Sequence, residues 1–149
     1  MIISVRQQGF DPWHEVSRVV EQRPELKGHY GANAVFVGTM RDFNEGDEVR
    51  SMELEHYPGM TEKELERLCT ECAEGRDVLE LLVVHRVGLI HPGDDIVLVS
   101  VWSAHRVDAF DVCREVMEML KSRAPFWKKE QLKSGHRWVA ENTPGFRQA

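Results

Sequence analysis

Long apolar runs are missing from this chain of 149 residues, and none approaches the ~18 residues that a membrane-spanning helix needs. The start of the sequence also lacks the basic region and apolar stretch of a secretion signal. Cysteine is scarce, and its odd number, three, disfavours a disulfide framework and fits a reducing compartment. We therefore predict a cytoplasmic protein without membrane contacts.

Basic charge is scarce too, because 19 Lys and Arg stand against 25 Asp and Glu, for a net charge of −6. General nucleic-acid binding needs a broad basic surface, so we expect no nucleic-acid partner. The sequence has no GxSxG nucleophile motif, no glycine-rich phosphate loop and no dinucleotide fingerprint. Its histidines lack the HExxH spacing of a metal site, and we predict neither a metal nor a cofactor.

The remaining composition is that of an ordinary globular protein, with 42% hydrophobic and 30% charged residues. A chain of this length is one domain by size and can bury a sizeable core. It contains no repeat, low-complexity tract or linker that would divide it. The prediction is a single domain over residues 1–149, with a loose tail at about 141–149.

In the first half of the chain, the hydrophobic pattern indicates strands around one helix. Asp11 is a good N-cap and Pro12 suits the first helical position. Apolar and polar residues alternate from Arg50 to Tyr57, as in a half-buried strand. We predict strands at 1–5, 32–39 and 50–57, a helix from Pro12 to about Gln22, and a mobile loop at 42–48.

The second half begins with Thr61-Glu62-Lys63-Glu64, which has the pattern of a capping box. Two nearly continuous apolar runs follow, as in central strands that are covered on both faces. We predict helices from there to near Gly75 and from about His105 to Arg123, and strands at 78–87, 96–102, 126–133 and 136–140. Because strands and helices do not alternate regularly, the predicted class is α+β, with a mainly antiparallel sheet and packed helices.

The pair Cys69-x-x-Cys72 is open to a redox or metal reading, but its position favours core packing. On the predicted helix both thiols share an apolar face with Leu65 and Leu68. A zinc site needs further ligands, and the sequence has no second cysteine pair. Cys113 lies on the apolar face of the long helix, so we expect no thiol catalysis.

Cationic side chains are the strongest functional signal in this acidic chain. Arg41 follows a buried strand, and His105-Arg106 stands where helix N-terminal amides also favour an anion. Lys121 lies at the far end of the same helix, where an ordinary surface pair with Glu118 is the alternative. Taken singly, each of these residues also fits a structural or solvated role. His85, at the end of a strand, is expected on the surface or in a hydrogen bond.

Lys128 has the most distinctive neighbours, because Phe126 and Trp127 precede it and can desolvate its amine. Desolvation lowers a lysine pKa, which makes the amine a nucleophile or a proton-transfer group. Arginine, histidine and lysine beside an aromatic surface would suit a planar heterocycle that carries phosphate.

Blocks that keep their order and spacing over about two-thirds of the chain resemble the large, catalytic subunit of molybdopterin synthase. They are LEHYPGMTEK (54–63), HRVG and HPGDD (within 85–95), SAHR (103–106) and KSRAPFWKKE (121–130). The resemblance implies an α/β-hammerhead fold and a sulfurtransferase that converts cyclic pyranopterin monophosphate (precursor Z) to molybdopterin. It also implies a small ubiquitin-like sulfur-carrier subunit, whose thiocarboxylated C-terminal glycine supplies two sulfurs, and a heterotetramer around a homodimer of large subunits.

Matching motif positions imply the site residues. Lys121 and Lys128 would be catalytic. The implied substrate-binding residues are Thr39, Met40, Arg41, His105, Arg106, Lys121, Lys128, Lys129 and Glu130. This sequence departs from the family pattern at Val107-Asp108, where a small polar pair is often seen. It departs again after Trp138-Val139, where the family can supply an arginine and Ala140-Glu141-Asn142 stands here.

Arg106 and Lys121 lie 15 positions apart, so a straight helix separates them by roughly 22 Å. Because one small pocket cannot easily contact both ends, we predict a pocket at a dimer interface, with His105-Arg106 from one chain and the lysines from the other. Two other classes use the same cations: a noncatalytic phosphate- or nucleotide-binding module, and a structural partner of a ubiquitin-like protein. The paired lysines beside aromatics favour the enzyme.

Overall fold

The computed structural model describes residues 1–44, 46–132 and 135–139. The predicted tail at 141–149, and Ala140 before it, lie outside the described residues. In chain order the elements are β1 (Ile2–Arg6), α1 (Pro12–Gln22), a 3-10 turn (Pro24–Leu26), β2 (Ala32–Thr39), β3 (Phe43–Asn44), β4 (Asp47–His56), α2 (Met60–Ala73), β5 (Val78–Arg86), β6 (Gly88–Ile90), β7 (Asp95–Ser103), α3 (Arg106–Ser122), β8 (Phe126–Leu132) and β9 (Gly135–Trp138). Within this described part of the chain, no helix is both long and apolar enough to cross a membrane.

The first sheet has the strand order β1-β5-β7-β2, and only the β1–β5 pair is parallel. Side chains alternate across its central strands, so Leu81 and Val83 pack against α2 and α3 on one face. Leu82 and Val84 pack on the opposite face with Val19 of α1. The near-continuous hydrophobicity of β5 and β7 thus follows from helices on both faces, as predicted.

The second sheet has the order β3-β4-β8-β9, with β6 paired to β4. Its inner face forms a separate cluster that includes Met40, Met52, Leu54 and Ile90. Apart from β1–β5, the pairs in both sheets are antiparallel. The α+β class with mainly antiparallel pairing is therefore confirmed, although the strands form two sheets.

The sequence pattern predicted Thr61 as the N-cap of α2, and this prediction was wrong. The helix begins at Met60, and Gly59 is the N-cap at a φ of 83°, a conformation that glycine adopts readily. Glu62 accepts a hydrogen bond from the Gly59 amide at 2.6 Å, which supplies half of a capping box. Thr61 is instead buried, and its hydroxyl accepts from the Tyr57 amide at 3.0 Å.

Two shorter segments also differ from prediction. The expected loop at 42–48 contains the antiparallel pair of β3 with the start of β4, and residue 45 lies outside the described residues. The connection after β5 contains β6, which is too short to show a strand pattern of its own. β3 forms a hairpin with the adjacent start of β4. β6 pairs with the middle of β4, where Met52 lies opposite Ile90, and this is a long-range contact that local sequence does not reveal.

Cys69, Cys72 and Cys113 are all buried among apolar side chains between α2, α3 and the first sheet, as predicted. Burial raises the pKa of the Cys69 thiol to about 12 and that of Cys113 to about 11. Within the described residues no group of three or more His, Cys, Asp or Glu can hold a metal ion.

Candidate active site

The site begins where α3 ends and the chain enters β8. Pro125 separates the two elements, and β8 then pairs antiparallel with β4 in a register that sets Phe126 opposite His56 and Lys128 opposite Leu54. Because strand side chains alternate, Lys128 lies on the same face of the sheet as Phe126. Lys121, in the last turn of α3, reaches the same place from the helix.

A cavity of about 290 Å³ lies between α3, β8 and the end of β2. Four predicted site residues line it: Thr39, Arg41, Lys121 and Lys128. The remaining wall is largely apolar, and its other lining residues are Phe36, Gly38, Leu54, His85, Ile96, Val97, Met117, Leu120, Ala124, Phe126 and Val139. The structure therefore brings a concentrated set of cations into a mostly apolar cavity.

Burial controls the charge state of both lysines. It lowers the pKa of Lys121 to about 8, and the charges of Lys128 and Arg41 add to that decrease. The pKa of Lys128 is also lowered, again chiefly by burial, while the nearby Glu130 carboxylate opposes the change. The two side chains are within hydrogen-bonding contact of each other. Both amines are thus easier to deprotonate than a fully solvated lysine, as the sequence indicated for Lys128.

Only one of the two aromatic residues before Lys128 contributes to this environment. Phe126 lines the cavity, whereas Trp127 lies on the other face of β8 and meets Tyr57 edge to face at 4.8 Å. Lys129 shares that outer face, with its amine 5.6 Å from the centre of the Trp138 ring. The structure therefore does not bring Lys129 to the cavity.

Thr39 and Met40 are placed differently although they are neighbours. The Thr39 hydroxyl donates to Asp95 at 3.1 Å beside the cavity. Met40 is only 6% exposed and packs in the core of the second sheet, while its backbone bonds hold the 91–94 turn. Its side chain is therefore part of the floor beneath the site and does not line the cavity.

Glu130 lies two positions after Lys128 on the same face of β8 and is only 3% exposed. Arg137 on β9 approaches its carboxylate at 3.7 Å. The carboxylate thus stands between an arginine and the Lys128 amine, whose charged form it favours. This placement suits a group that holds Lys128 in position.

His105 and Arg106 lie at the other end of α3. His105 is the N-cap residue, with its amide 3.3 Å from the Ser103 hydroxyl, and Arg106 begins the helix. Both are exposed, and neither lines the cavity that contains Lys121. The structure thus keeps these two groups of cations apart within one chain, as the helix length predicted.

His85 is a cavity residue that sequence reasoning missed. It is 8% exposed, and its ring stacks on Phe126 with centroids 4.1 Å apart and planes 17° apart. The sequence predicted either a surface position or a hydrogen bond for His85. The hydrogen bond is confirmed, with the Arg86 carbonyl oxygen at 2.8 Å, and the surface position is wrong. The available signal was a histidine that continues the apolar run of a buried strand.

A second, larger cavity of about 590 Å³ adjoins the first along α3 and β2. Phe36, Met117 and Lys121 line both cavities. In the described part of the chain β2 pairs only with β7, so the groove runs beside its other backbone edge. The site is therefore continuous with an apolar groove that ends at Lys121.

Sequence comparison decides the family. Residues 5–123 match the family described as MoaE protein. This chain belongs to the MoaE family. A relative from Ralstonia nicotianae is 49% identical over 137 residues, covering 92% of this chain and 76% of its own length. A relative from Pseudomonas aeruginosa is 49% identical over 139 residues, covering 93% and 90%. Each bears the name molybdopterin synthase catalytic subunit.

The fold agrees with this assignment. The MoaE protein of Burkholderia ambifaria superposes with a TM-score of 0.77 at 43% identity, covering 97% of this chain and 93% of its own. The resemblance seen in the sequence blocks is thereby confirmed. The function of the chain is that of a molybdopterin synthase catalytic subunit, which makes it an enzyme, a sulfurtransferase. The two nonenzymatic alternatives are set aside.

Proposed function

We propose that this MoaE protein converts cyclic pyranopterin monophosphate to molybdopterin in the cavity that Lys121 and Lys128 share. The observation that carries the proposal is the placement of two lysines with lowered pKa in one largely apolar cavity, beside Arg41. Such amines suit proton transfer near neutral pH, and the fixed cations suit a developing oxyanion.

The reaction makes three demands on the protein. The substrate phosphate needs an anchor, the oxyanion that forms as the thiocarboxylate is consumed needs a positive neighbour, and protons must move as oxygen leaves and sulfur enters. We assign Arg41, with His105 and Arg106, to anion binding and the two lysines to the reacting carbons. Thr39 and Glu130 help to hold the side chains that line the cavity in position. Met40 and Lys129, which the structure does not bring to the cavity, stay predicted substrate-binding residues.

The sulfur donor is the thiocarboxylated C-terminus of a small ubiquitin-like subunit. The relatives are named catalytic subunits, a name that implies a further subunit. The groove beside β2 suits an extended peptide because the strand edge offers backbone hydrogen bonds and Phe36 and Phe110 offer apolar contacts. A tail lying there would place its terminal thiocarboxylate at Lys121.

His105 and Arg106 reach a site only if a second chain supplies them. We therefore propose a homodimer, within a heterotetramer that contains two small subunits, in which one chain's helix start completes the other chain's cavity. A cytoplasmic location is part of the proposal, and the three free, buried cysteines fit such a reducing compartment.

The test is dithiolene formation from precursor Z and thiocarboxylated small subunit. Lys121→Ala and Lys128→Ala should each lower the rate by about 100-fold or more, the contribution typical of positioned acid–base groups. Lys27→Ala is the matched control, because Lys27 is exposed on the other side of the first sheet and should leave the rate unchanged. Full activity of Lys121→Ala would contradict the role assigned to Lys121. If the wild-type chain forms no product with the thiocarboxylated small subunit, the proposed function itself is contradicted.

A further inference from the structure

The buried His85 ring has a defined orientation. Its Nδ1 lies 2.8 Å from the Arg86 carbonyl oxygen, and because a carbonyl only accepts, Nδ1 carries the proton. The stack on Phe126 fixes the plane of the ring. A neutral imidazole protonated at Nδ1 has its lone pair on Nε2, so the opposite edge of His85 is a hydrogen-bond acceptor.

This acceptor edge shares the cavity with the two lysines. His85, Lys121 and Lys128 line the same cavity, and Lys128 follows Phe126 by two positions on the same face of β8. The charges of both lysines act on the imidazole, that of Lys121 more strongly. Burial, reinforced by these charges, lowers the pKa of His85 to about 4, which keeps the ring neutral at physiological pH.

We propose that His85 is a positioning residue for the sulfur-transfer reaction, whose Nε2 accepts a hydrogen bond from the Lys121 amine and directs it at the substrate. The inference rests on the proposed function of the cavity, and adds a residue that sequence motifs do not assign. The largely apolar part of the cavity wall then contains a neutral acceptor near two ammonium groups that repel each other.

The acceptor has a measurable effect on the charge state of Lys121. A hydrogen bond to an ammonium group favours its charged form, so His85 raises the Lys121 pKa against the decrease caused by burial. His85, Lys121 and Lys128 affect one another's pKa values. The other charged or titratable groups that act on them are Glu130 on β8, Arg41 after β2 and His56 on β4. None of these changes when His85 alone is replaced.

Two substitutions separate the acceptor from the packing. His85→Phe keeps an aromatic ring against Phe126 and removes Nε2, whereas His85→Gln removes the ring and keeps an acceptor. For His85→Phe we expect a roughly tenfold lower kcat with little change in KM. The Lys121-dependent limb of the pH–rate profile should move about half a unit to one unit lower, the size of one hydrogen bond. His85→Gln should restore the profile toward that of the wild type.

A titration of ¹³C-labelled lysine, followed by NMR, tests the same effect of His85 on Lys121 without an activity assay. The Lys121 pKa should fall in His85→Phe and not in His85→Gln. If His85→Phe does not fold, the wild type and Lys121→Met are compared instead, and the ¹⁵N shift of His85 Nε2 should change. An unchanged Lys121 pKa, or an unchanged Nε2 shift, overturns the inference. If the wild-type protein forms no dithiolene, the proposed function is overturned. The NMR results still test the hydrogen bond between His85 and Lys121, because they do not depend on activity.

Discussion

At the scale of single residues, Lys121 and Lys128 place positive charge where burial disfavours it. Two ammonium groups in a largely apolar cavity repel each other and have lost part of their hydration. The same environment produces the lowered lysine pKa that the proposed chemistry requires. The protein therefore gives up stability at this point in favour of a reactive amine, as functional sites commonly do.

Lys121→Met should consequently stabilise the protein while abolishing its activity. A pKa lowered from 10.5 to about 8 means that the unfolded chain holds the proton more tightly. Because the Lys121 side chain is partly exposed, solvent screens much of this effect, and the variant should gain on the order of 1 kcal/mol in free energy of unfolding at pH 7. The gain should disappear as pH rises from about 8 to 10.5, where wild-type Lys121 loses its charge in both states.

Chemical denaturation at several pH values measures this difference. Lys27→Met serves as the matched control, because an exposed lysine outside the cavity should change the free energy of unfolding by no more than about 0.5 kcal/mol. A Lys121→Met protein that is less stable than the wild type at pH 7 would show that the amine makes a net favourable contribution.

The cysteines give a second prediction at this scale. Iodoacetamide at pH 8 should leave Cys69, Cys72 and Cys113 unmodified in the native protein during a time that fully alkylates the denatured chain. Burial limits access and raises all three thiol pKa values, so little thiolate is present. Mass spectrometry counts the modified thiols. Rapid labelling of any one in the native state would contradict its core placement.

At the scale of elements, the sequence predicted those with a strong local pattern. The helix after Asp11-Pro12 and the end of α3 before Pro125 follow from N-cap and proline chemistry within a few residues. The buried position of Thr61 depends instead on a contact with a distant part of the chain, because its hydroxyl donates to the Pro125 carbonyl oxygen at 3.4 Å. The β3–β4 pair is a local hairpin inside the 42–48 stretch, which the sequence predicted to be a loop because it is polar, acidic and contains glycine.

The same distinction applies to the site. Lys121 and Lys128 belong to one sequence block, so their proximity was predictable from the turn at Pro125. His85 comes from β5, about forty positions earlier, and only the packing of the two sheets brings its ring onto Phe126. His85 belongs to the HRVG block, but a local motif does not show that its ring packs on Phe126, which only the folded chain brings near.

Helix α1 is held to β1 by an ion pair that can be tested by pH. Both terminal guanidinium nitrogens of Arg6 donate to the Glu15 carboxylate, at 2.6 and 3.0 Å. Glu15→Gln should lower the free energy of unfolding by about 2 kcal/mol at pH 7, as for other charged hydrogen bonds. The Arg6 hydrogen bond holds the pKa of the Glu15 carboxyl below its ordinary value of 4.5.

The sign of the pH effect follows from that direction. The pair stabilises the protein fully above pH 4.5, and its contribution is lost as pH falls through the lower folded-state pKa of Glu15. Wild type and Glu15→Gln should therefore converge in stability in strong acid. Glu21→Gln, exposed on the same helix, is the control and should change stability little at any pH. A constant difference between wild type and Glu15→Gln at all pH values would contradict the argument.

At the scale of the whole molecule, α3 separates two sets of functional cations. Its 17 residues place Arg106 and Lys121 at opposite ends of one straight element. A site that uses both then needs two chains. Mixing inactive Arg106→Ala and Lys121→Ala proteins should restore part of the activity, because one of the two cavities in a mixed dimer receives intact residues from each chain.

The mixed dimers are verified by differently tagged chains, and each variant assayed alone is the control. Recovery of up to about half of the wild-type activity per mixed dimer is expected if the two sites are independent. Verified mixed dimers with no activity would show that each chain completes its own site.

The length of α3 also has a consequence for enzyme kinetics. If one chain's Arg106 completes the other chain's cavity, a single chain has no complete site, and dissociation removes activity without unfolding anything. The specific activity should then fall on dilution, and the rate should vary with a power of enzyme concentration above one near the dissociation constant of the dimer. The fixed length of one helix would in this way make the rate of catalysis depend on the dimerisation of the chain.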